Sequence, residues 1–155
     1  MVDKQAKTDL ARELFLSGHS CAQSVAAAYA EEMGLPRQTV LRLAGGFGGG
    51  LGGMRVTCGA TVAMAMVLST LVGYDDPQDM QTKRYLYALI RRMCERFTAQ
   101  YETLNCRTLL VNAGIEVKNT PSERTPEYYR ARPCVRYVMT CAGILADTLN
   151  EEGLA

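Results

Sequence analysis

Residues 45–72 read GGFGGGLGGMRVTCGATVAMAMVLSTLV, a glycine-rich segment followed by an apolar run. Glycine adopts positive φ and leaves room for a neighbouring backbone, so Gly45–Gly53 predicts a tight loop pressed against other elements. Thr57 is a good helix cap, which predicts an apolar helix over Cys58–Val72. Its apolar part, Ala60–Val72, is shorter than the roughly 20 residues of a membrane span, so we expect a buried helix and no membrane insertion.

The glycine-rich segment does not match the common phosphate-binding loops. No Gly-Lys-Ser/Thr follows it, as a P-loop requires, and no predicted strand precedes it, as a dinucleotide-binding fingerprint requires. We therefore interpret the glycines as structural residues that bring Cys58 to a site. Backbone amides near that site are expected to donate hydrogen bonds to cofactor sulfurs or to a bound anion, and the candidates are Gly48, Gly49, Gly50 and Gly59.

Cap residues and prolines predict further helices on both sides of this segment. Before it, the pattern predicts helices from Asp3 to Ser17, over Cys21–Met33, and from Pro36 to Gly45. After it, the pattern predicts helices from Pro77 to about Tyr101 and over Cys106–Asn112, and a helical region from Pro126 to about Asn150 that Pro133 interrupts. No run alternates as a strand would. The sequence thus predicts an all-α single domain over residues 1–155, a bundle of about six to seven helices with a glycine-rich loop.

Composition and charge exclude several classes of protein. Hydrophobic residues make up 48% of the 155 residues, charged residues 21%, and the formal net charge is +1. This balance indicates a globular chain without a nucleic-acid footprint or a polybasic membrane patch. The polar start Met1–Gln5 lacks the apolar core of a signal peptide, so we expect a cytoplasmic protein. Thiols are kept reduced there, which favours metal ligands, redox groups or core residues over structural disulfides for the six cysteines.

Four of the six cysteines share one local context, because each follows a residue that starts a helix. They are Cys21 after Ser20, Cys58 after Thr57, Cys106 after Asn105 and Cys134 after Pro133. At a helix start, free amides and the positive end of the dipole favour the thiolate, which is the nucleophilic and metal-binding form. Cys94 and Cys141 fall within predicted helices, where a small buried side chain is the expected role.

The residues alone leave the chemistry of these four cysteines open. No Cys-x-x-Cys pair is present, so a zinc ribbon or finger is not indicated, although the fold can assemble widely separated ligands. Four thiolates suit a [2Fe–2S] or [4Fe–4S] cluster, and they equally suit reversible dithiol pairs. In the dithiol alternative Cys58 and Cys21 are the redox thiols, and Cys58 is the attacking thiol because the adjacent glycines leave it approachable. Bound zinc, or no cofactor at all, remains the other alternative.

The charged residues near these cysteines have two interpretations each. His19, the only histidine, either raises the thiolate fraction of a neighbouring cysteine or lies in a solvated loop. Arg107, Arg132 and Arg136 lie close in sequence to the last two of the four cysteines, where they either stabilise thiolates or are solvated. The small apolar surface at Ala26–Ala28 is compatible with packing between subunits in a homodimer. The sequence identifies no redox partner.

Three stretches together resemble a known family. They are GHSCAQSV at residues 18–25, GGFGGG at residues 45–50 and TCGATVA at residues 57–63, with Cys106 and Cys134 as the last two cysteines. The pattern is similar to the C_GCAxxG_C_C family of redox-active proteins, and the match spans roughly Ser17 to Cys141. One departure is Ala63, which stands where the motif ends in glycine and which alters only how closely a neighbour packs there.

The resemblance implies a redox role for Cys21, Cys58, Cys106 and Cys134. The chain also looks similar to the non-haem part of split-Soret cytochromes, which implies an iron–sulfur cluster, while the absence of Cys-x-x-Cys-His excludes covalent haem. The leading prediction is therefore an iron–sulfur cluster held by these four cysteines for electron transfer. The alternatives are a thiol–disulfide redox protein and a structural metal-binding or partner-binding module.

Overall fold

The computed structural model describes all 155 residues and contains eight α-helices. Their bounds are α1 (Lys4–Leu16), α2 (Cys21–Ala28), α3 (Arg37–Ala44), α4 (Gly59–Val72), α5 (Met80–Tyr101), α6 (Cys106–Asn112), α7 (Pro126–Ala131) and α8 (Cys134–Glu152). The only β-type pairing is an isolated bridge between Thr57 and Asn105. The predicted all-α class is confirmed.

The helix count exceeds the predicted six to seven because the C-terminal helical region is divided in two. Arg132 adopts an extended conformation with φ −85° and ψ 132°, which separates α7 from α8. The residue before a proline is pushed out of the helical region by the pyrrolidine ring, and Pro133 follows here. Pro133 therefore ends one helix and begins another.

The second helix is shorter than predicted, ending at Ala28 instead of Met33. Tyr29 leaves the helical conformation, its side chain is fully buried, and its hydroxyl donates a 2.6 Å hydrogen bond to the Ala142 carbonyl on α8. This tertiary contact fixes the chain at a point where the local sequence favours continued helix. Residues 29–33 form turns instead.

The core forms where α8 packs against α1, α2, α4 and α5. The apolar helix α4 is buried as predicted, with Met64, Val67 and Leu68 fully enclosed. Ala26–Ala28 are at most 2% exposed and belong to the same core. These residues are therefore not available to pack against another subunit, although the sequence had suggested such packing. None of the eight helices combines the length and the apolar character needed to traverse a bilayer.

The glycine-rich loop adopts the backbone conformation that its composition predicts. Gly49, Gly50, Gly52 and Gly53 all have positive φ. A Cβ atom at Gly50 would stand 2.6 Å from the Cβ of Cys106, closer than real side chains pack. The loop is therefore pressed against the start of α6, and glycine is required at this point of contact.

Candidate thiol cavity

The four predicted cysteines all lie at helix starts. Cys21, Cys106 and Cys134 are the first residues of α2, α6 and α8. Cys58 differs by one position, since it occupies the cap of α4 itself, and Thr57, predicted as the cap, forms the bridge to Asn105 instead. The common placement at helix starts is confirmed.

Two of these helix starts are fixed by side-chain caps. Ser20 and Gln23 form a reciprocal capping box at α2, in which the Ser20 hydroxyl accepts from the Gln23 amide and the Gln23 side chain accepts from the Ser20 amide. At α6 the Asn105 side chain accepts from the Thr108 amide at 2.9 Å. Caps of this kind satisfy the free amides of the first turn. They set where each helix begins and so place Cys21 and Cys106.

A short pairing of two extended segments brings Cys58 and Cys106 together. The Cys58 amide donates to the Leu104 carbonyl at 2.8 Å, and the Cys106 amide donates to the Val56 carbonyl at 2.6 Å. The segment before α4 is thus joined to the segment before α6, across 48 positions of the sequence. No local sequence signal predicts this pairing.

Gly59 brings the start of α4 against Cys21. A Cβ atom at Gly59 would stand 2.8 Å from the Cys21 Sγ atom and 2.5 Å from the Phe47 carbonyl oxygen. Only a residue without a side chain allows this approach between two helices and the glycine-rich loop. Gly59 therefore belongs to the site through close packing.

All four cysteines line one cavity of about 60 Å³. Aromatic and aliphatic side chains close most of the remaining wall, namely Phe15, Leu109, Leu110, Tyr128 and Tyr137. The six cysteines are all free thiols. The other two do not line the cavity: Cys141 is fully buried in the core and Cys94 is half-buried on α5.

Burial and mutual repulsion keep most of these thiols protonated. Burial raises the pKa of Cys58 well above its ordinary value, with a further increase from Cys21. Burial also raises the pKa of Cys134 to about 12, and Cys21 and Cys106 contribute to this shift. The pKa of Cys21 is raised by burial and then by Cys106. The sulfurs are thus close enough to oppose each other's ionisation.

Backbone amides around the cavity lower the pKa of Cys21, in opposition to the effect of burial. The amides of Ala22, Gly49 and Ala60 interact with the Cys21 sulfur and lower its pKa, although burial outweighs them. Gly49 thus contacts a cysteine sulfur, whereas the predicted hydrogen bonds from loop amides to a cofactor or an anion stay a prediction. Gly48 contributes through close packing, since a Cβ atom there would lie 2.8 Å from the Ser20 Cβ atom. Gly50 packs on Cys106 in the same manner.

The cysteines surround the cavity without meeting at a single point. No group of three or more His, Cys, Asp or Glu side chains is placed to hold a metal ion. This spacing gives no support to a mononuclear site such as structural zinc, in which every ligand lies about 2.0–2.3 Å from one ion.

Three arginines also line the thiol cavity, and only Arg132 among them was predicted from the sequence to lie near the cysteines. They are Arg55, Arg124 and Arg132. The Nη1 atom of Arg55 lies 3.8 Å from the Cys106 sulfur. Arg55 is the only charged residue between Leu43 and Val72, which is the signal that could have drawn attention to it. His19, Arg107 and Arg136 are not among the lining residues.

The comparisons with known proteins agree with the sequence resemblance. The model of the family described as "Putative redox-active protein (C_GCAxxG_C_C)" matches residues 19–148. This range includes all four cysteines of the cavity and most of the chain. No curated protein and no solved structure matches.

Proposed function

Because the chain belongs to the C_GCAxxG_C_C family, we propose that it is a redox-active protein whose four cavity cysteines hold an iron–sulfur cluster for one-electron transfer. The ligands in this proposal are Cys21, Cys58, Cys106 and Cys134. The observation that carries it is their arrangement around one cavity, reached from four separate helix starts.

The size of the cavity supports a cofactor of several atoms. One water needs about 10–15 Å³ of such space, so about 60 Å³ accommodates a group of several heavy atoms. Protein interiors are otherwise close-packed, so a space of this size beside four thiols leaves room for a bound group. The four cysteines of an iron–sulfur cluster are divided among two or four iron atoms, so they need not all approach one ion.

The surroundings of the sulfurs suit the charge of such a group. A bound cluster supplies a reversible one-electron couple, and metal binding to thiols requires their deprotonation. Burial raises the pKa of Cys21, Cys58 and Cys134, and the positive charge of bound iron would favour their thiolate forms. The amides of Gly49 and Ala60 then stabilise the negative charge on Cys21, while Tyr128 and Tyr137 limit access of water.

Anaerobic reconstitution with ferrous iron and sulfide tests this proposal. We expect visible absorption and stoichiometric iron and labile sulfide in the wild-type protein. Replacing any one of the four cavity cysteines by serine should lower the iron content, whereas the Cys94→Ser control, which lies outside the cavity, should keep it. A wild-type protein that takes up no iron contradicts the proposal, and zinc in its place favours the structural metal-binding alternative.

A specific contact favours reversible disulfide chemistry as a second candidate function. Cys106 is half-buried, and its sulfur lies 3.8 Å from a guanidinium nitrogen of Arg55. A partly exposed sulfur beside a cation is typical of reactive cysteines. Cys58 is only 5% exposed, so the approachability predicted for it is not found. Cys106 is therefore the better attacking thiol, and Cys21, whose ionisation it opposes, is the nearby resolving thiol.

In this alternative the oxidant is a small-molecule disulfide such as oxidised glutathione. The Cys106 thiolate attacks one sulfur, a mixed disulfide forms, and one glutathione thiolate leaves. Cys21 then loses its proton and attacks the Cys106 sulfur, which releases the second glutathione and leaves a Cys21–Cys106 disulfide. Mass spectrometry of oxidised Cys21→Ser protein should show glutathione trapped on Cys106. An unchanged thiol count in oxidised wild-type protein contradicts this chemistry.

A further inference from the structure

A second, larger cavity adjoins the thiol cavity and carries unbalanced positive charge. It measures about 380 Å³, within the range of about 300–1,000 Å³ typical of small-molecule sites. Its wall includes Arg55, Arg124 and Arg132, and no aspartate or glutamate lines it. The two cavities share these arginines together with Ser20, Gly49 and Tyr128, so the larger cavity lies next to the thiol cavity.

The three arginines have no carboxylate partner. None of the six ion pairs in the structure involves them. Arg55 is 8% exposed and Arg132 is 9% exposed, so both guanidinium groups are largely removed from water. A buried charge without a counter-charge is costly, which favours an anion from outside the chain.

Neighbouring groups hold these guanidinium planes in place while leaving donors unused. Arg124 lies over the rings of Phe15 and Tyr128, each centroid 4.8 Å away, and its Nη2 atom donates to the His19 carbonyl at 3.2 Å. The Nη1 atom of Arg124 is buried and has no hydrogen-bond partner. Arg132 lies over the same Tyr128 ring at 4.9 Å.

The remaining contacts of the arginines are few. Arg132 donates from Nη2 to the Ser122 hydroxyl at 3.3 Å. Arg55 donates from Nε to the Lys118 carbonyl at 2.8 Å, and its Nη1 atom lies 3.8 Å from the Cys106 sulfur. Stacking and hydrogen bonds to neutral groups orient a guanidinium group without neutralising its charge. The wall thus presents three oriented guanidinium groups, and the buried Nη1 atom of Arg124 is a donor without a partner. A guanidinium group binds the oxygens of an anion through charge-assisted hydrogen bonds.

We propose that the larger cavity binds a small oxyanion, held by Arg55, Arg124 and Arg132 beside the thiols. The ligand is a phosphate, a sulfate or a carboxylate, whose shared chemistry is two or more oxygens that carry negative charge. The loop glycines and Ser20 allow it to approach the backbone closely. This inference goes beyond the redox function, because it depends on the arginines and not on the cofactor.

Isothermal titration of the reduced, metal-free protein tests the inference, with sodium phosphate, sodium sulfate and sodium oxalate as separate probes and sodium chloride as the ionic-strength control. We expect saturable binding of at least one oxyanion at a single site. Arg124→Gln and Arg132→Gln should each weaken it by about 10- to 100-fold, since each removes charge-assisted hydrogen bonds. Arg130→Gln is the matched control, because Arg130 is exposed and already paired with Glu127.

Three results would overturn the inference. The first is no saturable binding of any oxyanion by the wild-type protein, and the second is wild-type affinity in the folded Arg124→Gln and Arg132→Gln proteins. The third is loss of anion binding in a folded Cys106→Ser/Cys134→Ser double variant, which would show that the anion binds at the thiols and not at the arginines. If the Arg132→Gln variant does not fold, Arg132→Lys replaces it. This variant keeps the positive charge but loses the guanidinium group, so it should also bind the oxyanion more weakly than the wild type, and wild-type affinity would count against the inference. Iron uptake is measured separately, so a wild-type protein that takes up iron and no anion overturns this inference alone.

Discussion

Replacing Gly59 by alanine should destabilise the protein, because it forces apart the three elements that meet at Cys21. A methyl group would stand 2.5 Å from the Phe47 carbonyl oxygen and 2.8 Å from the Cys21 sulfur. Overpacking of this kind costs about 1–3 kcal/mol. Alanine regains up to about 1 kcal/mol of helix propensity, and less at the first position of a helix. We therefore expect a net loss of about 1–2 kcal/mol in the free energy of unfolding.

Gly143→Ala is the matched control for this experiment. Gly143 lies inside α8, and the nearest atom to an added methyl group is the end of the flexible Lys4 side chain at 3.1 Å. We expect this variant to be neutral or more stable by up to about 1 kcal/mol. Guanidinium chloride denaturation of the reduced, metal-free proteins, followed by circular dichroism, measures both changes. Equal stability of Gly59→Ala, Gly143→Ala and wild type would refute the close approach of α4 to Cys21.

Two further predictions concern the thiols and their caps. The pKa of Cys134 is about 12 in the folded protein and near 9 in the unfolded chain, so the unfolded chain loses this proton first as the pH rises. Between those two pKa values, this one thiol lowers the free energy of unfolding by about 1.4 kcal/mol per pH unit. Denaturation at pH 8.5–10.5 should show a correspondingly smaller slope for metal-free Cys134→Ser, and an unchanged slope contradicts the shift. Asn105→Ala and Asp79→Ala each remove a helix cap and should cost about 1 kcal/mol, but only the former should reduce iron retention after reconstitution. Equal iron retention in the two variants would show that the α6 cap does not position Cys106.

Local signals in the sequence account for the helices and for three of the four cysteine positions. Ser20, Asn105 and Pro133 act on the residues next to them, so the starts of α2, α6 and α8 follow from short-range chemistry. The early end of α2 does not, because it depends on Tyr29 reaching a carbonyl on α8, 113 positions away. Local sequence patterns cannot predict a helix boundary that such a tertiary contact sets.

The four cysteines of the cavity were predictable from the sequence, whereas most of the arginines that line it were not. Cysteine is rare enough for four similar contexts to suggest a shared site. Arg124 lies in a polar loop whose sequence resembles any solvated segment, and only the folded chain places it over Phe15 and Tyr128. The pairing that joins the Cys58 and Cys106 segments consists of backbone hydrogen bonds, which carry no side-chain signature.

Crystals of the reconstituted protein, measured at the iron absorption edge, would locate the metal relative to the four sulfurs. The proposal expects anomalous density inside the cavity bounded by Cys21, Cys58, Cys106 and Cys134, with each sulfur bonded to iron. Iron bound elsewhere, or any of these four sulfurs facing away from the shared cavity, would contradict it.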